Sequence, residues 1–230
     1  MINLQKRKIM EVKITTIIFD QQIRPEEIST FRGALLTLLP DDPILHNHTE
    51  NTVIYRYPLV QYKCIDGKAA IVGLGEGAEM LEKELSVGDE LSLMLGRRIR
   101  QFIVSVKNTT YFNPGVQSAE GFRYKIEGWF PLNQENHITY QETERLTDRI
   151  SMLDSILTTN ILAAHKKGMG HILENECIAY ITDIDKITTA KHKGIEMLSF
   201  DVRIFSNTPL PLYCGLGKGS ARGHGIVTPV

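Results

Sequence analysis

The first half of the chain alternates strand-like and helix-like patterns of apolar residues. β-Branched and aromatic residues predict a strand over 10–20, and apolar positions three and four apart predict a helix over 25–39. An Asp-Gly pair, which suits a tight turn, predicts a hairpin over 53–74. A short helix over 75–85 and a strand over 98–107 follow. The resulting order, β-α-β-β-α-β, is that of a ferredoxin-like unit.

The second half repeats most of this order. Strands are predicted over 122–130, 177–187 and 195–205. After the first of them, a capping-box pattern over 139–142 precedes a long helix, whose apolar stripe runs from 146 to 164 and which ends at Gly168. A short strand over 225–229 follows a loop rich in glycine, which stands where the second helix would be. The sequence therefore predicts an α+β fold of two tandem ferredoxin-like βαββαβ domains with antiparallel sheets. In the second domain the last helix is reduced and a glycine-rich loop takes its place.

We expect the boundary between the two domains in the loop over 108–121, which contains an Asn-Pro-Gly turn signal. The N-terminal domain then covers residues 1–110 and holds the candidate catalytic loop. The C-terminal domain covers residues 111–230 and holds the glycine-rich loop. We expect the two sheets to pack so that a cleft lies between the domains.

Composition and charge limit the classes of function. A formal charge of −1 argues against a nucleic-acid binder that is basic throughout, but leaves local basic patches open. Three widely spaced cysteines without a CxxC pair argue against a disulfide framework or structural zinc site and fit a reducing compartment. The sequence has no signal-peptide pattern and no apolar run of membrane-spanning length. We therefore expect a cytoplasmic protein with no membrane partner.

Two histidines one residue apart are the first candidates for chemistry. His46 and His48 lie in the loop between a predicted helix and a predicted strand. In an extended segment, residues two apart point the same way, so both imidazoles could face one substrate. Histidine exchanges protons near neutral pH. RNA cleavage by the 2′-hydroxyl needs one base and one acid, and this pair could supply both without a metal.

Two other interpretations of the histidine pair stay open. Both could be solvated loop residues beside Asp41, Asp42 and Glu50. A metal site is the weaker alternative, because Cys64 and Glu50 are the only candidates for a third ligand.

The strand after the histidine loop carries aromatic and basic residues. Alternation places Tyr55 and Tyr57 on one face and Arg56 on the other. We predict that Tyr57 belongs to the catalytic group and that Arg56 binds RNA, both near a phosphate. The alternative is that the tyrosines are half-buried strand residues, a common use of tyrosine in sheets.

The glycine-rich segment over 215–225 also carries positive charge. Glycine lets backbone N–H groups turn toward an anion and approach it closely, and Lys218 and Arg222 add charge. The segment lacks the spacing of a P-loop, and no helix pattern follows it. It therefore predicts a phosphate-binding loop. The alternative is a flexible end, which the apolar residues Ile226 and Val227 argue against.

Together these motifs resemble those of the Cas6 family, the RAMP-superfamily endoribonucleases that process precursor CRISPR RNA. The two neighbouring histidines resemble subtype b of that family. The resemblance covers nearly the whole chain and rests on FRGALL (31–36), LHNH (45–48), YRYPLVQYK (55–63) and the glycine-rich loop.

The resemblance implies RAMP/RRM-like domains and cleavage within the CRISPR repeat without a metal or other cofactor. The products would be a 5′-hydroxyl and a 2′,3′-cyclic phosphate. Precursor CRISPR RNA is the implied partner, with other CRISPR-associated effector subunits and a second copy of the chain (a homodimer) as further candidates. His46 and His48 are the implied catalytic residues. The implied RNA-binding residues of the loop are Gly217, Lys218, Gly219, Arg222, Gly223 and Gly225.

Two other functions stay open from the sequence. A non-catalytic RAMP subunit that holds guide RNA in a CRISPR effector complex would keep the glycine-rich loop without needing the histidines. An unrelated small-molecule enzyme on a ferredoxin-like fold is the other alternative, which the basic loop argues against.

Overall fold

In its described residues, the first half of the chain forms seven strands and three α-helices. The computed structural model describes residues 10–40, 42–46, 48–49, 52–53, 57–192 and 194–230. The elements in chain order are β1 (Val12–Gln22), a 3-10 turn (Pro25–Glu27), α1 (Ile28–Leu36), α2 (Pro43–His46), β2 (His48–Thr49), β3 (Thr52–Val53), β4 (Val60–Ile65), β5 (Lys68–Leu74), α3 (Glu76–Glu84), β6 (Glu90–Leu95) and β7 (Arg98–Phe112).

Four of these strands form the antiparallel sheet of a ferredoxin-like unit. Their order in the sheet is β4-β5-β1-β7, so the second, third, first and fourth strands of the unit are neighbours. The hairpin turn has φ of 49° at Asp66 and 75° at Gly67, as a type I′ turn requires. The predicted fold of this unit is confirmed. A fifth strand, β6, which was not predicted, pairs with β7 at the far edge of the sheet.

The second half forms a four-stranded antiparallel sheet with the order β11-β8-β10-β9, which is again the ferredoxin order. Residues 207–225 contain turns and no helix, so the predicted replacement of the last helix by the glycine-rich loop is confirmed. The elements are β8 (Phe122–Trp129), α4 (Gln134–Glu142), α5 (Leu146–Ala163), a π-helical turn (Ala164–Gly168), β9 (Ala179–His192), β10 (Ile195–Ser206) and β11 (Ile226–Pro229).

The predicted long helix is present as α5 and the π-helical turn that ends at Gly168, but its predicted start at a capping box over 139–142 is wrong, because a separate helix, α4, occupies that region. Helix α4 begins after Asn133, whose side-chain Oδ1 accepts a hydrogen bond from the backbone N–H of Asn136 at 2.7 Å. Thr139, which was predicted to precede the helix, lies inside α4, and a break over 143–145 separates α4 from α5.

Two buried clusters hold the structure together. The first packs α1 and α3 on one face of the first sheet and includes Leu81, Phe19 and Phe31, with the Phe19 and Phe31 ring centres 5.5 Å apart. The second joins the two halves, because Ile14 and Val72 on the other face of that sheet belong to the same cluster as eighteen buried residues of the second half. The second unit therefore packs directly on the first sheet. The predicted domain limits, 1–110 and 111–230, stay a prediction.

Candidate functional site

The histidine segment begins with helix α2, whose last residue is His46. The Asp42 side chain starts this helix by accepting the N–H of Ile44 at 2.8 Å. Leu45 is buried with the cluster around α1 and α3, which fixes the position of the helix. His48 opens β2, a two-residue strand paired with β3. The backbone of the two histidines therefore does not form one extended segment, and their catalytic role stays a prediction.

Tyr57 lies in the core, with 8% of its surface exposed. Its hydroxyl donates a hydrogen bond to the backbone O of Gly215 at 2.7 Å. Burial raises the pKa of Tyr57 well above its ordinary value, so the phenol stays protonated and bonded. This placement suits a residue that positions the glycine-rich loop. Arg56, the other residue predicted in this strand, lies outside the described residues.

Three residues of β4 also hold the glycine-rich loop. Gln61 Oε1 accepts the N–H of Gly215 at 2.7 Å, and Tyr62 donates its N–H to the backbone O of Ala221 at 3.2 Å. Lys63 Nζ donates to the backbone O of Ser220 at 2.8 Å. We call Tyr57, Gln61, Tyr62 and Lys63 the latch. The latch fixes the basic loop of the second unit to the strand that follows the histidine segment in the first.

Lys63 is an unusual member of the latch because it is fully buried. Burial lowers the pKa of its ammonium group to about 7. The unfolded chain keeps an ordinary lysine pKa of about 10.4, so between these two values the unfolded state binds more protons than the folded state. The free energy of unfolding should therefore rise with pH above about 7, by at most about 1.4 kcal/mol per pH unit from this group.

Replacing Lys63 by methionine should remove this pH dependence. We expect the wild type to gain about 2 kcal/mol of stability relative to Lys63→Met between pH 7 and 9, a value that follows from the shift toward about 7. Urea titrations at several pH values measure it. Lys68→Met, at an exposed position, serves as control and should keep the wild-type slope. An equal change of the free energy of unfolding with pH in the wild type and in Lys63→Met would contradict the prediction.

The glycine-rich loop needs glycine for its own shape. Gly217, Gly219, Gly223 and Gly225 all have positive φ, between 63° and 82°. A side chain at Gly225 would collide with the backbone O of Leu216. These glycines therefore allow the loop to fold tightly against its own backbone.

Backbone N–H groups of the loop are largely used inside the protein. Arg222 donates its N–H to Gly219 O at 2.7 Å, and Gly225 donates to Gly128 O at 3.0 Å. The N–H of Lys218 makes a longer contact with Phe130 O at 3.4 Å. These three N–H groups are therefore engaged within the protein, and contact of the other N–H groups of the loop with an anion stays a prediction. The side chains of Lys218, which is exposed, and Arg222, which is half-buried, are the groups available for phosphate.

Arg32 is a basic residue of this region that was not predicted. It lies on α1, and its Cζ is 5.6 Å from the centre of the Tyr62 ring. Its Nη2 donates to the backbone O of Leu45 at 3.5 Å, one residue before His46. Burial lowers the pKa of Arg32, and the positive charge of Arg222 lowers it further. The sequence signal for Arg32 is a charged residue directly after Phe31 within an apolar helix pattern.

The zinc alternative loses one of its ligands. Cys64 donates its thiol to the backbone O of Ile23 at 3.2 Å, and burial raises its pKa, which favours the thiol over the thiolate that binds zinc. Glu50 lies outside the described residues. Within the described part of the chain, no three metal-ligating side chains come together.

No helix in that same part is both long and apolar enough to span a bilayer.

Two family models match the chain, the Cas6b N-terminal domain over residues 10–108 and the Cas6b C-terminal domain over residues 116–230. The chain belongs to the Cas6b family. Membership of the Cas6b family confirms the resemblance drawn from the sequence motifs. A protein of Methanocaldococcus jannaschii, described as uncharacterized, is 28% identical over 109 residues, which are 47% of this chain and 72% of that protein.

Solved structures of Cas6b share the whole fold. A crystal structure of Cas6b is 26% identical to this chain with a TM-score of 0.83, and the match covers 96% of this chain and 100% of the other. A crystal structure of the CRISPR RNA processing endoribonuclease Cas6b is 23% identical with a TM-score of 0.73, over 96% and 100% of the two chains. The arrangement of two ferredoxin-like units is therefore that of Cas6b.

Proposed function

We propose that the protein is a metal-independent endoribonuclease that cleaves CRISPR repeat RNA. The observation that carries the proposal is the latch. It joins a loop with exposed positive charge to the strand that follows the histidine segment in the chain, which supports cleavage by His46 and His48 of RNA held on the loop. Membership of the Cas6b family supports the same function.

The proposed reaction is attack of a ribose 2′-hydroxyl on the adjacent phosphate. One histidine removes the proton of the 2′-hydroxyl, and the other gives a proton to the 5′-oxygen as the bond to phosphorus breaks. The products are a 2′,3′-cyclic phosphate and a 5′-hydroxyl. Lys218 and Arg222 hold the RNA backbone, and Gly217, Gly219, Gly223 and Gly225 shape the loop that carries them. Tyr57 acts on this reaction by positioning the loop.

We further propose a cytoplasmic site of action, which agrees with Cys64, Cys177 and Cys214 being free thiols. Precursor CRISPR RNA is the proposed partner. Other CRISPR-associated effector subunits and a second copy of the chain stay candidate partners, without a contact that assigns either.

End-labelled repeat RNA tests the proposed function. The purified protein should cut it once per repeat, with the same rate in buffer and in EDTA. The downstream fragment should accept a 5′-phosphate from polynucleotide kinase at once, and the upstream fragment should resist phosphatase until acid opens the cyclic phosphate. Binding without cleavage would favour the alternative function, a non-catalytic RAMP subunit that holds guide RNA. A rate restored by zinc or manganese after EDTA would replace the proposed mechanism by metal catalysis.

Replacing Lys218 and Arg222 together by alanine should weaken RNA binding and flatten its dependence on salt. Each phosphate contact to single-stranded RNA contributes about 0.7 to the slope of log K against log salt, so the double variant should lose about 1.4. Fluorescence anisotropy at salt concentrations between about 50 and 300 mM measures the slope. An unchanged slope would contradict a role of the loop in holding RNA.

The matched control removes two positive charges elsewhere. Lys83 and Arg145 are both exposed, on α3 and before α5. The double variant Lys83→Ala, Arg145→Ala should keep a slope close to that of the wild type, because the loss of net charge alone does not break a phosphate contact.

A further inference from the structure

Arginines from the two units of the protein meet at one tyrosine. Arg32 comes from α1 of the first unit, with its Cζ 5.6 Å from the centre of the Tyr62 ring. Arg222 comes from the glycine-rich loop of the second unit, and its backbone forms a bridge with that of Tyr62. Tyr62 is fully buried, so it gives both arginines a fixed base. Tyr62 therefore lies against the side chain of Arg32 on one side and the backbone of Arg222 on the other.

Bringing two positive charges together costs free energy unless an anion lies between them. The side chain of Arg32 is half-buried, where water screens the repulsion less than on an open surface. The charge of Arg222 already acts on Arg32 strongly enough to lower its pKa, in addition to burial. Two guanidinium groups carried by neighbouring elements favour the binding of an anion between them.

The chemistry of the pair selects phosphate as that anion. A guanidinium group is planar, stays charged, and can give two parallel hydrogen bonds to phosphate oxygens. The Nη2 of Arg32 also reaches the backbone O of Leu45 at 3.5 Å, so the guanidinium lies next to the end of α2, where the chain continues into His46.

We propose that Arg32 and Arg222 together bind one RNA phosphate, the one at the cleaved bond or within one nucleotide of it. This inference rests on the proposed function and adds a residue from α1 to the RNA contacts. The pair needs both units in place, and the latch sets the distance between them. Arg32 would therefore contact the RNA backbone at or next to the bond that is cleaved.

A binding experiment with neutralised phosphates tests the pair. The RNA carries a 2′-deoxy nucleotide at the cut site, so that it stays whole, and one methylphosphonate at a time replaces each phosphate of the repeat. Arg32→Gln should weaken binding of the unmodified RNA about 10-fold to 100-fold, the size of one charged hydrogen-bonding contact. At one methylphosphonate position, at or next to the cut site, the wild type and Arg32→Gln should bind equally well. Arg222→Gln should lose its effect at the same position, which shows a shared phosphate.

Two further variants separate this role from a structural one. Arg145→Gln removes one exposed arginine and should behave like the wild type at every methylphosphonate position. Arg32→Lys keeps the positive charge and should recover part of the affinity. Thermal unfolding shows whether Arg32→Gln folds, and if it does not, Arg32→Lys takes its place in the binding experiment. An effect of Arg32→Gln that is equal at all positions would overturn the inference, because it would mean that Arg32 only supports α2. Loss of the effect at a position far from the cut site would overturn it too.

The outcome for this inference is independent of that for the proposed function. Binding of the methylphosphonate RNAs is measured on uncut RNA, so a protein that binds but never cleaves can still show the shared phosphate. The proposed function would then fail, and the binding of one phosphate by Arg32 and Arg222 would stand. A protein that cleaves the repeat but shows no position-specific loss for Arg32→Gln would leave the function standing and overturn the shared phosphate contact.

Discussion

Replacing His46 or His48 by alanine should slow cleavage of repeat RNA about 10²-fold to 10⁴-fold, the range expected for a lost general acid or base. RNA affinity should stay close to that of the wild type, because the phosphate contacts proposed for Lys218 and Arg222 are unchanged. Single-turnover rates at saturating protein give the first quantity, and anisotropy on uncleavable RNA gives the second. The double variant should lose less than the product of the two single losses if the histidines act as one unit.

The control is His171→Ala, at a half-buried histidine of the second unit that packs near His165. It should cleave at the wild-type rate. Wild-type rates for both His46→Ala and His48→Ala would return these residues to solvated loop positions. A large loss of RNA affinity in either variant, with an unchanged rate at saturation, would make the histidines binding residues and contradict the acid–base assignment.

Replacing the 2′-hydroxyl at the cut site by hydrogen should abolish cleavage altogether. That hydroxyl is the proposed nucleophile, and no other group takes its place in the mechanism. Binding should be unchanged, since the phosphates that Lys218 and Arg222 contact are still present. A single deoxy nucleotide one position downstream is the control and should be cleaved at nearly the normal rate.

Cleavage of the deoxy RNA at the original bond would show that water is the nucleophile, and the mechanism would then be wrong even if the histidines were essential. A downstream deoxy nucleotide that also blocks cleavage would instead point to recognition of several 2′-hydroxyl groups. Measuring both RNAs separates these cases, because only the proposed mechanism makes the first RNA inert while the second is still cleaved.

Much of the fold could be predicted because its signals are local. The Asp66-Gly67 turn and the apolar face of α1 each lie within a few residues of sequence, and together they give the ferredoxin order. Strand β6 was missed although Leu91, Leu93 and Leu95 alternate with other residues. A ferredoxin-like unit is complete with four strands, so this alternation was not interpreted as a further strand of the sheet.

The site was predicted less completely because its partners are far apart in sequence. Lys63 and Tyr57 bond to atoms 157 and 158 residues away, and alternation along a strand does not reveal what covers its edge. A lysine in a strand is usually solvated, so nothing near Lys63 marked it as buried. The loop glycines, by contrast, were identified from composition alone.

The position of the latch at the edge of a sheet has a consequence for biosynthesis. Strand β4 is an outer strand of the first sheet, and an open edge of this kind is a template for pairing with other chains. The segment that covers it is made 154 to 158 residues later. At about 5–20 residues per second, the ribosome leaves the edge uncovered for roughly 8–30 s. A chain that ends before the glycine-rich loop would keep that edge open for its lifetime, and self-association would be its main route to loss.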